Sequence, residues 1–133
     1  MNALDEWLEE VHRDLRAAAG CLAGDVELPD RAAFHVQQAA EKLGKAALVA
    51  HGLRPGKTHD ISEVVASLPI GFPLRARLAA LDRLSAYAVV FRYPGERRPP
   101  IPRMAEVRTW IAEIEALQAE FKTWLTKRDG TDQ

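Results

Sequence analysis

From Leu4 through Leu8, Val11, Leu15, Ala18 and Leu22, apolar residues recur at alternating steps of four and three. That rhythm gathers them on one helical face, with Asp5, Glu6, Glu9, Glu10, Arg13 and Arg16 on the other. The period persists down the chain. Leu74, Leu78, Leu81, Leu84 (or Ser85), Ala88 and Phe91 share the inner face of a fourth helix. Val107, Ile111, Ile114, Leu117 (or Gln118), Phe121 and Leu125 do the same in a last helix, flanked by Trp110 and Trp124. Nothing in the pattern suggests a strand or an internal repeat.

The breaks between helices are equally legible. "GDVELPD" is a loop, and Asp30 at its end is read as the N-cap of a second helix running to His51. Gly52 suits a left-handed position after that helix, Leu53 can fold back onto its last turn, and Pro55 blocks continuation. Asp60 and Glu63 have the spacing of a capping box that opens a short helix through "ISEVVASL". "PIGFP" breaks the chain again, and the prolines of "RYPGERRPPIP" exclude a helix there. Pro102 is placed in the first turn of the last helix. Short connections favour antiparallel neighbours. The reading is one all-α domain over residues 1–128, an up-and-down bundle, with "KRDGTDQ" fraying and 129–133 as a tail.

A chain of 133 residues can bury a core without metal or disulfide staples. Its 47% apolar and 28% charged residues are those of a globular protein, and a net charge of −1 gives no global pull toward nucleic acid or membrane. The single cysteine, Cys21, excludes an intrachain disulfide and is read as a small core residue. "MNALDEWLEEVHRDL" is acidic where a secretory signal is basic, and no run approaches the roughly 20 apolar residues of a membrane span. The expectation is a cytoplasmic protein without membrane contact.

Within the second helix, "FHVQQAAEKLGKAALVAHG" carries an ordered polar band. Gln37, Gln38, Glu41, Lys42 and Lys45 are contiguous on a helical surface, and Glu41 and Lys45 are spaced as an i,i+4 pair. The opposite side, Val36, Ala39, Ala40, Leu43, Ala46, Ala47 and Ala50, suits close helix packing. The plainest account of the band is a solvated face. Gly44, which costs about 1 kcal/mol against Ala inside a helix, and the two glutamines favour instead a groove or a dimer seam.

"AFHVQQAAEKLGKAALVAHG", then "KTHDI", then "YAVVFRYPGE" together resemble the prokaryotic HEPN family, the higher eukaryote and prokaryote nucleotide-binding domain. The resemblance covers nearly the whole chain and implies an antiparallel bundle of four to five helices. It also implies a homodimer and a minimal nucleotidyltransferase encoded alongside, in toxin–antitoxin-like pairs. Some members are metal-independent ribonucleases, with an Arg followed four to six positions later by His near the end of the helix before the last.

That catalytic signature is missing. Arg92 is present, but no histidine follows it. Arg54 and His59 have the spacing but lie in the loop after the second helix, where Pro55 and Gly56 keep them off a common helix face. Arg31 and His35 are an equally cheap coincidence. The four histidines show no zinc-site spacing, and no metal or cofactor is expected. The arginines and tyrosines Tyr87, Arg92, Tyr93, Arg97, Arg98 and Arg103 suit phosphate contact and base stacking, or else form a solvated loop. The function expected from the resemblance is therefore the non-catalytic, nucleotide- or partner-binding member of a HEPN–nucleotidyltransferase pair. Arg92, Tyr93, His59, Asp60, Lys57 and Tyr87 are the candidate nucleotide- or partner-binding residues. The alternatives are a ribonuclease toxin with an atypical site acting on RNA, or a ligand-free dimeric scaffold.

Overall fold

The computed structural model describes residues 2–88 and 99–130. Five α-helices follow in order: α1 Ala3–Ala23, α2 Pro29–Ala50, α3 Ile61–Ala66, α4 Arg75–Ala80 and α5 Met104–Arg128. A 3-10 segment, Leu81–Tyr87, extends α4. No strand occurs among the described residues, and none of the described helices is long and apolar enough to cross a membrane.

Helix α2 is the centre of the bundle. It packs chiefly on α1, and also on α5, the 3-10 segment and α3. Its small side chains make this possible: Ala32, Ala33, Ala39, Ala40, Ala46 and Ala47 are all buried, on several sides of the helix. Val11, Leu15, Ala18 and Leu22 of α1 and Val107, Ile114, Leu117, Phe121 and Leu125 of α5 complete the core, as their spacing anticipates. Burying each large side chain contributes about 1.5–3 kcal/mol. The pair Leu117 and Gln118 need not be chosen between. Both are buried, because Gln118 Nε2 donates to the Leu8 carbonyl at 3.1 Å.

Gly44 has an intramolecular cause. A Cβ built there would lie 2.9 Å from Val64 Cγ1, so the glycine lets α3 cross directly over α2. At the C-terminus of α2, Gly52 takes φ +74°. Its N–H reaches the Val49 carbonyl at 3.0 Å and that of Leu53 reaches Leu48 at 2.9 Å, which completes a Schellman motif. Beside it His51, Phe72, Phe121 and Trp124 close one end of the bundle, with Phe72 and Trp124 ring centroids 4.8 Å apart.

Several boundaries differ from the sequence reading. Asp30 is not the N-cap of α2: Leu28 holds that place and Pro29 opens the helix, its fixed φ and missing N–H suiting the first turn. Asp60 does cap α3, accepting from Ser62 N–H at 2.9 Å, but Glu63 does not close a box, because Thr58 Oγ1 takes the Asp60 N–H at 3.1 Å. The fourth helix tightens after Ala80. Leu78, Leu81 and Leu84 repeat every third residue, and a 3-10 turn keeps all three buried on one edge. Phe91, assigned to the same face, lies outside the described residues. Pro102 precedes the N-cap Arg103, whose N–H is taken by Glu106 Oε1 at 3.1 Å. Lys127 and Arg128 do not fray. Arg128 reaches the Ala50 carbonyl and stacks over Trp124, which holds the last turn in place.

Candidate functional site

The polar band of α2 is not a solvated face. Gln37, Glu41 and Lys45 retain 0%, 3% and 4% of their surface, while Gln38 and Lys42 are half-buried. Burial of so many polar atoms is tolerated because each finds a partner; no buried side-chain polar atom among the described residues lacks one. Gln38 Nε2 donates to Gln37 Oε1 at 2.7 Å, and Gln37 Nε2 donates to Glu41 Oε1 at 3.3 Å. Lys45 Nζ lies 3.0 Å from Glu41 Oε2 and 5.8 Å from the centre of the Trp7 ring of α1. The aromatic face supplies a second partner for the ammonium where water cannot reach.

The middle of this row also reaches the surface, through the loop before α3. His59 Nδ1 sits 3.2 and 3.1 Å from the two Glu41 oxygens, and Gln37 Nε2 also donates to the His59 carbonyl at 3.4 Å. Backbone and ring are thus both held to α2, while the His59 side chain stays 71% exposed. Lys57 is exposed on the same loop. Asp60, next along the chain, is turned to another task. Its carboxylate accepts from the N–H and the hydroxyl of Ser62, and Ser62 N–H also approaches Asp82 Oδ1 at 3.2 Å. The Ser62 hydroxyl first, then the N–H groups of Ser62 and Glu63, hold the Asp60 carboxyl below the usual aspartate value.

A second polar cluster joins α1 to the outer edge of α2. Lys42 Nζ lies 2.7 Å from Asp14 Oδ2 and 3.2 Å from Glu10 Oε1, and His35 Nδ1 lies 3.3 Å from Asp14 Oδ1. Burial pulls the Lys42 pKa down, but the hydrogen bonds and charges of Asp14 and Glu10 outweigh it and hold it above the usual lysine value. Sequence reasoning missed Trp7, Glu10, Asp14 and His35 as partners of the band. The available signal was the i,i+4 spacing of Glu10 and Asp14, which puts two carboxylates on one side of α1.

The structure therefore brings Gln37, Gln38, Glu41, Lys45 and His59 together and sets Lys57 nearby on the surface. Tyr87 does not join them. Its hydroxyl donates to the Pro100 carbonyl at 3.2 Å and its ring lies 5.8 Å from that of Trp110. Burial, with the charge of Glu106, pushes its pKa up. Arg92 and Tyr93, with Arg97 and Arg98, lie outside the described residues. No group of three metal-ligating side chains occurs among the described residues.

The HEPN domain family matches the chain from residue 4 to residue 123. This chain belongs to the HEPN domain family. Its fold is similar to the crystal structure of TT1696 from Thermus thermophilus, with a TM-score of 0.67 and 30% sequence identity, over 90% of this chain and 95% of that one. No curated protein matches it. Within this HEPN domain, the "QQAAEKLGK" stretch supplies the buried polar row, and "KTHDI" supplies both its surface outlet, His59, and the cap of α3, Asp60.

Proposed function

We propose that this HEPN protein is the non-catalytic, nucleotide- or partner-binding member of a pair with a minimal nucleotidyltransferase, acting in the cytoplasm as a homodimer. The observation that carries the binding reading is the His59 ring, oriented by a buried carboxylate yet 71% exposed, beside the exposed Lys57. Arg92 and Tyr93 belong to the proposed site through their place in the "FRYPGE" motif. Gln38 and Lys42 are the members of the polar row that reach the surface for a seam.

Titration with ATP, GTP and short oligonucleotides tests the reading. A ligand bound only by the native state, at a hundredfold over its Kd, raises stability by about 2.7 kcal/mol. An unchanged melting temperature with all of them would leave a ligand-free scaffold. A monomeric mass by light scattering at tens of micromolar would remove the dimer. Turnover of a structured RNA that disappears in Arg92→Ala would replace the non-catalytic reading with a ribonuclease.

A further inference from the structure

We draw no further inference here: the strongest candidate, the exposed outer face of α5 along Ala105, Thr109, Ala112, Ala116, Ala119 and Thr123, is a stripe of small residues, and nothing in the structure shows what covers it.

Discussion

Lys45 Nζ lies 3.0 Å from Glu41 Oε2, one turn apart on α2, with side-chain exposures of 5% and 3%. Such a pair is costly to desolvate and costly to break. Removing one member leaves the other charged and without its counter-ion in the core. Glu41→Ala and Lys45→Ala should each lower unfolding free energy by about 3–5 kcal/mol. Glu41→Ala combined with Lys45→Ala should cost less than the sum of the two single replacements, because neither charge is then stranded. Urea denaturation of the single and double variants gives the answer; strict additivity would show that the pair is not coupled.

Gly44→Ala sets helix propensity against space. Alanine gains about 1 kcal/mol within a helix, but its Cβ would meet Val64 Cγ1 at 2.9 Å, and overpacking of that kind costs about 1–3 kcal/mol. The substitution is expected to be neutral to destabilising in the native background. Combined with Val64→Ala, which removes the opposing methyl, it should become stabilising relative to Val64→Ala alone. Paired melting temperatures decide this.

Acid sensitivity follows from depressed carboxylates. Asp60, Glu106 and Glu120 are all held below their usual values, by Ser62, by the Arg103 N–H and by Arg77 respectively. A folded-state pKa below the unfolded one contributes stability above the unfolded value, near 4, and loses it as pH falls through the folded value. Stability should therefore decline from about pH 5 downward. In Asp60→Asn that decline should be shallower, read from chemical denaturation at a series of pH values.

At the alkaline end Lys42 acts with the opposite sign. Its pKa is raised, so its stabilisation is complete below the usual lysine value and fades as pH climbs through the raised one. Lys42→Met should cost about 1–3 kcal/mol at neutral pH, the range for buried hydrogen bonds to charged groups. The variant should also lose part of the wild-type decline above about pH 10. An unchanged alkaline limb would show that Asp14 and Glu10 do not depend on this ammonium.

The helices themselves were legible because their signals are local. The four-and-three rhythm of α1 and α5 describes a face within one element, and Gly52 with Pro55 marks a helix end within a few residues. The polar band was misread for the converse reason. Spacing shows that Gln37, Glu41 and Lys45 are neighbours, but not what lies over them. Their cover comes from Trp7, on another helix, and from His59, at the end of a loop that doubles back along α2. Likewise the three-residue step from Leu78 to Leu84 fits an α-helix or a 3-10 turn, and packing on α2 selects the tighter one. The Glu41–His59 contact joins residues 18 apart in sequence, which no periodicity registers.

A helix clothed in alanine presents its neighbours with a nearly smooth cylinder, free to turn about its axis or slide along it at little cost in apolar contact. The row from Gln38 to Lys45 removes that freedom. Rotating α2 by a single residue position would carry Glu41 away from His59, and Lys45 away from Trp7, leaving the buried Glu41–Lys45 pair without its partners on neighbouring elements. The polar row is thus a keyway cut into a greased shaft: it fixes both the angle and the depth at which the central helix seats, and so the place where the surface imidazole emerges.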